Sequence, residues 1–189
     1  MNEEEIIKIC KKLNIKNYTI NSDGSIDVEG DVILTGLVKG RIPIQFNRVS
    51  GNFICCDSEL TTLENSPRYI NVNFNVDSNK LTNLENSPIS IGGYFSVENN
   101  NLISLRGSEK ITGIKNIYFC NNKLTSLKYH PIISNKYTNS YDPKYNLNDN
   151  PIVSLDDYND SYDKLLCYNK EKLILKSNRS KKIRKFLEI

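Results

Sequence analysis

The chain has no Trp and no Ala, a single His and a single Met. Each scarcity closes a class of functions. One histidine, His130, cannot build a His-paired metal site, and without a placed nucleophile it is a poor general base. Followed by Pro131, it reads as a turn residue. No apolar run approaches the ~20 residues that a membrane-spanning helix needs. Neither a Gly-rich phosphate loop nor a nucleophile elbow is present. The opening Met1-Asn2-Glu3-Glu4-Glu5 is acidic where a secretory signal would be basic, so a cytoplasmic protein is expected. What is abundant instead is Asn, Ile, Lys and Tyr, residues of AT-rich codons, a bias that reflects genome more than fold. With 38% hydrophobic and 25% charged residues over 189 positions, the chain is neither a disordered tail nor a membrane protein. It has ample length for one domain or a short array.

Cysteines are few and odd in number: Cys10, Cys55, Cys56, Cys120 and Cys167. Their spacing fits no zinc ribbon, and neither a metal nor a cofactor is expected. Charge is split along the chain. Nine of the 25 basic residues and two of the 22 acids fall in 164–189, a balance of +7 against −4 for everything before. Within that tail Ile183, Phe186 and Leu187 lie at i, i+3, i+4, the spacing of a packed helix with a solvated basic face. The same basic face is the chain's candidate for nucleic-acid binding.

The middle of the chain repeats. Phe53, Phe74 and Phe95 are 21 apart, as are Leu60, Leu81 and Leu102, and Leu63, Leu84 and Leu105; Pro67 and Pro88 keep the step. With one residue added the pattern resumes at Ile117, Phe119, Leu124, Leu127 and Pro131. After an insertion near 134–143 it recurs at Tyr145, Leu147, Ile152 and Leu155. The shared frame is apolar-x-apolar-x-x-Asn-x-Leu-x-x-Leu. Apolar residues two apart leave one face of a strand, so Phe53 with Cys55, Phe74 with Val76 and Phe95 with Val97 point into a common core. The Asn column, at Asn79, Asn100, Asn122 and Asn150, falls where the chain leaves the strand and a side-chain amide can serve backbone groups without ladder partners. Ser58 replaces Asn in the first unit, which predicts a weaker ladder there.

This frame resembles the leucine-rich repeat. The units, with Asp23–Val32 and Val49–Phe53 before them, look like small leucine-rich-repeat proteins of tailed phages and large DNA viruses, over residues 15 to about 155. Their proline after the second Leu also resembles repeats of enterobacterial ubiquitin-ligase effectors, whose separate catalytic domain has no room here. The resemblance implies a protein-binding horseshoe, a host protein as partner, and no catalytic residue.

The expected fold is therefore an α/β repeat solenoid, a short leucine-rich-repeat horseshoe. Parallel strands line its concave face and its convex side is extended or 3₁₀, because about ten residues are too few for a return helix and Pro67, Pro88 and Pro131 lack donors. Residues 1–47 are read as an N-terminal cap. It comprises a helix with Ile6, Ile9, Cys10 and Leu13 on one stripe, a hairpin across Asp23-Gly24, and a degenerate first unit ending at Ile42-Pro43. Residues 48–155 hold the repeats and 156–189 a basic helical cap.

Function is expected on the outward face of the strands. Asn75, Asp77, Tyr94, Ser96, Glu98, Asn116, Tyr118, Cys120, Asn146 and Asn148 form the candidate partner-binding set, with the two tyrosines as anchors. Asp77 and Glu98 share a column on neighbouring strands, about 5 Å apart, a spacing that a hydrolase could use. Solvated acids on a polar face are the plainer reading. Cys56 and Cys120 share another outward position three strands apart, roughly 14 Å at ~4.8 Å per strand. That is too far for a disulfide, which tolerates about 7 Å between Cα atoms. A non-enzymatic interaction module is the expectation.

Overall fold

The computed structural model describes residues 1–131, the backbone of 145–146, and residues 149–151. The segment 156–189 expected to form a basic helical cap, the rest of the last repeat with Asn148, and Cys167 lie outside the described residues, as does the side chain of Asn146.

Helix α1 (Glu3–Lys12) starts at Asn2, whose Oδ1 accepts the Glu5 N–H at 2.9 Å while the Glu5 carboxylate accepts the Asn2 N–H at 2.9 Å. This reciprocal capping box satisfies two donors left over at a helix start. Three glutamates in the first turn and Lys11 and Lys12 in the last suit the helix dipole. Ile6 and Cys10 are fully buried, Leu13 nearly so, and Ile9 packs against the same core. The hairpin follows as expected. Strand β1 (Tyr18–Ile20) pairs antiparallel with β2 (Ile26–Val28), and Asp23 Oδ1 holds the turn by accepting both the N–H and the hydroxyl of Ser25.

From here the chain winds as a β-solenoid. As far as β9, successive turns place short strands alternately in two sheets. The first contains β3 (Val32–Ile33), β5 (Phe53–Ile54), β7 (Phe74–Asn75), β9 (Tyr94–Ser96), β10 (Asn116–Tyr118) and β11 (Tyr145–Asn146), all parallel and neighbours in that order. Its register aligns Val32, Phe53, Phe74, Phe95, Ile117 and Tyr145. The second adds β4 (Phe46–Val49), β6 (Tyr69–Ile70) and β8 (Ser90–Ile91) in parallel to β2, with an isolated bridge from Ser90 to Thr112.

The core between the sheets is a set of files. Phe53 stacks on Phe74 at 5.6 Å between ring centroids and Phe74 meets Phe95 at 5.7 Å. Phe46 and Phe119 close the file with edge-on contacts at 5.4 and 5.5 Å. The paired leucines of every described rung, from Leu60 and Leu63 to Leu124 and Leu127, are buried beside them. No rung could bury these side chains alone, so each shields the next.

The return side is extended, one of the two conformations expected of it, and it pairs into a parallel sheet of its own. Pro67 and Pro88 sit two residues before β6 and β8, where a missing N–H interrupts no ladder. Beyond each proline the backbone stays extended, Ile70 and Ile91 turn into the core, and the neighbouring groups pair with the rungs on either side. Two parallel sheets thus enclose the core of a β-solenoid. The unit read as degenerate, 31–46, is a full rung that supplies β3 to one sheet and leads into β4 of the other.

Left-handed backbone repeats at fixed corners. One file is Asp57, Ser78, Asn99, Asn121 and Asp149, with φ from 50° to 58°; another is Asn65, Asn86, Gly107 and Tyr129. Asn and Gly tolerate this region best.

Candidate interaction surface

Just inside the first corner lies the Asn column, with Asn79, Asn100 and Asn122 buried and Asn150 half-buried. Asn79 Oδ1 accepts the N–H groups of Ser58 and Leu60, and its Nδ2 donates to the Cys55, Val76 and Asp77 carbonyls. Asn100 and Asn122 repeat the arrangement, with Oδ1 accepting from Leu81 and Leu102 respectively. Asn150 donates to the Phe119 carbonyl at 2.8 Å and accepts from Leu124. Ser58 accepts from Gly36 and reaches the Cys56 and Leu34 carbonyls at 2.8 and 3.3 Å. One hydroxyl proton cannot serve both carbonyls at once, whereas an amide carries two. These amides lock each rung to the one before and hold the sheet's outer face rigid.

On that outer face a chain of amides crosses the strands. Asp31 Oδ1 accepts from the Asn52 backbone and side chain, Asn52 Oδ1 from Asn73 Nδ2 at 2.8 Å, and Asn73 Oδ1 from the Tyr94 N–H at 2.8 Å. In the file beyond, Asn75 Oδ1 accepts the Cys56 thiol and the Asp77 N–H. Asp77 Oδ1 in turn accepts the Ser96 hydroxyl and the Glu98 N–H, both at 2.7 Å. Burial raises the Asp77 carboxyl above its ordinary value, opposed by these same hydrogen bonds. Burial also pushes the Cys56 thiol up to about 11, so it is a weak nucleophile at neutral pH. Asp77 is thus bound into its neighbours: the group it meets on Glu98 is the backbone N–H. Among the described residues no cluster of three or more His, Cys, Asp or Glu could hold a metal ion.

Tyr94 and Tyr118 come together on adjacent strands, ring centroids 5.9 Å apart and edge to face at 81°. Both are half-buried, as are Asn75, Asp77, Glu98 and Asn116. Two members of the candidate set present little surface. Ser96, 4% exposed, is a short side chain between Asn75 and Tyr118 on the flanking strands, and Cys120 is 7% exposed. Asn52, Asn73 and Ile54 belong to the same face, and the 21-residue step already aligned them. The exposed Ile33 of β3, level with Ile54, was hidden in the degenerate unit.

No protein-family description, curated protein or solved structure matches this chain.

Proposed function

We propose that the chain is a non-enzymatic binding module of leucine-rich-repeat kind that takes a protein partner, a host factor in a viral setting, on the outer face of the first sheet. The observation that carries this reading is the Tyr94–Tyr118 pair. Two half-exposed aromatic rings brace each other at 5.9 Å on a backbone pinned by the Asn73 and Asp77 hydrogen bonds. Rigid aromatic anchors lose little side-chain entropy on binding and dominate interface energetics. Glu98 beside them adds a charge that a partner's cation could meet.

The test is quantitative affinity purification from the native cell with the full chain and with Tyr94→Ala, Tyr118→Ala and Glu98→Lys. Thermal melts verify that each variant is folded. Loss of a hot-spot aromatic costs ≥2 kcal/mol, so recovery of a specific partner should fall by about 30-fold. Undiminished recovery of every partner by folded variants rejects this face.

A further inference from the structure

The outer face of the first sheet carries charge of one sign. No Lys or Arg stands in β3, β5, β7, β9 or β10, or in the two residues that follow each, in a chain that has 25 of them. Asp77 and Glu98 hold matching positions on neighbouring rungs, both half-exposed, and the exposed Asp57 turns the corner one rung before them.

The fold brings no cation to this end of the sheet among the described residues. Asp77 takes its hydrogen bonds from neutral donors, the Ser96 hydroxyl and the Glu98 N–H. Its carboxyl is raised chiefly by burial, and the charge of Asp57 adds to the rise. Like charges held together in this way carry a cost that a cation from outside would relieve. Lys80, in the same rung as Asp77, is turned onto Glu59 at 2.6 Å. Lys115 precedes β10 level with Gly93, five residues short of Glu98 along the strands and so roughly 16 Å away at ~3.3 Å per residue. The other ion pairs, Arg41 with Glu64 and Arg106 with Glu85, belong to the second corner.

A second feature, independent of the acids, selects the same chemistry. Ser96 is level with Tyr118, so Glu98 and Tyr118 are diagonal neighbours across two strands, ~7–8 Å apart. Tyr94 braces the Tyr118 ring from the other side at 5.9 Å. A Lys or Arg entering here meets an aromatic ring, which attracts cations through its quadrupole, and a carboxylate that forms charge-assisted hydrogen bonds.

We propose, on the protein-binding reading above, that the partner is basic and docks a Lys or Arg at this end of the first sheet, between the Glu98 carboxylate and the Tyr118 ring. Asp57 and Asp77 strengthen the field that draws the segment in, and the same charges turn away acidic surfaces and nucleic acid.

Fluorescence anisotropy of the full chain with labelled nona-arginine, against labelled nona-glutamate, tests the chemistry. Nona-arginine should bind and nona-glutamate should not. Binding should weaken as salt rises from about 0.01 M to about 0.15 M, where the screening length falls from ~30 to ~8 Å. Glu98→Gln and Asp57→Asn remove one charge each, and Asn is at home in the left-handed backbone of that corner. Each should lower affinity about two- to fivefold and the pair about tenfold, with melting temperatures within a few degrees of the parent. Glu64→Gln, which removes the same charge at the second corner, should leave affinity unchanged. Failure to bind nona-arginine at low salt, equal binding of both peptides, or equal losses in Glu64→Gln and Glu98→Gln overturns the proposal. Affinity purification from the native cell separates this failure from that of the face. Capture lost in Tyr94→Ala but kept in Glu98→Gln and Asp57→Asn leaves the face standing and overturns the basic partner; capture unchanged in all three overturns both.

Discussion

Asn100 reaches across a rung to Leu81, accepting its backbone N–H at 3.0 Å while donating to the carbonyls of Val76 and Glu98 at 3.1 Å. One buried amide thereby serves three backbone groups that have left the ladder. Asn100→Ala strands all of them, and an unsatisfied buried group costs roughly 1–3 kcal/mol. A loss on the order of 2–4 kcal/mol is expected in urea denaturation. Asn100→Asp should be worse at neutral pH. A carboxylate still accepts from Leu81 but has no proton for either carbonyl, so acidification should recover part of the loss.

The registered files make a second expectation. Leu81 and Leu102 are wholly buried in successive rungs, so Leu→Ala at either should cost ~2–5 kcal/mol through lost packing and the cavity left behind. Lys80, adjacent to Leu81, meets Glu59 at 2.6 Å with both side chains more than half exposed. Exposed ion pairs contribute ~0–1 kcal/mol, so Lys80→Ala should lower stability by under about 0.5 kcal/mol. Equal losses at Leu102 and Lys80 in denaturant titrations would contradict the solenoid packing.

A serine file at the second corner divides in two. Ser108 donates its hydroxyl to the Leu105 carbonyl and reaches the Tyr129 carbonyl, both at 2.9 Å. Ser87 and Ser66, one and two rungs earlier, bury hydroxyls that have no hydrogen-bond partner among the described residues. Removing an unsatisfied hydroxyl relieves a desolvation cost, whereas removing a paired one leaves a carbonyl stranded. Ser66→Ala and Ser87→Ala should therefore be neutral or raise the melting temperature, and Ser108→Ala should lower it by an amount equivalent to about 1 kcal/mol. A melt series of the three variants separates the two classes.

Much of this architecture is legible in the residues because a solenoid writes one physical constraint many times. Phe53, Phe74 and Phe95 at a constant step can only be one file, and Asn79, Asn100 and Asn122 can only be one corner. The second sheet is harder to read. Its strands β6 and β8 are two residues long and send one residue each, Ile70 or Ile91, into the core. One apolar residue per turn leaves no alternation to detect, and a nearby proline argues for loop. The corner residues mislead in another way. Asp57, Ser78, Asn99 and Asn121 would continue the inward count of the strand after Cys55, Val76, Val97 and Phe119, yet their positive φ breaks the alternation at the corner and leaves them exposed or half-exposed. The Asn-rich sequence at these positions carries the signal, since Asn enters that region readily. The candidate surface was legible in its columns but not in its burial. Whether Ser96 is displayed depends on Asn75 and Tyr118 beside it, which a single strand's alternation does not report.

The pH response of Asp77 follows from its surroundings. Burial raises its pKa in the folded chain, and the hydrogen bonds from Ser96, Glu98 and Asn75 reduce the rise without cancelling it. A carboxyl held above its unfolded value binds its proton more tightly in the native state. Its contribution therefore favours folding below the unfolded pKa of ~3.9 and is lost as pH rises through the folded value. Asp77→Asn keeps an oxygen to accept from Ser96 and Glu98 and removes the charge. The variant should match or exceed the parent in stability at pH 7, and the difference between them should shrink as pH falls below the folded pKa. Urea denaturation at a series of pH values from about 3 to about 7, bracketing carboxyl titration, reads this directly. A gap that widens towards acid would mean that Asp77 is stabilised as the anion, with its hydrogen bonds outweighing its burial.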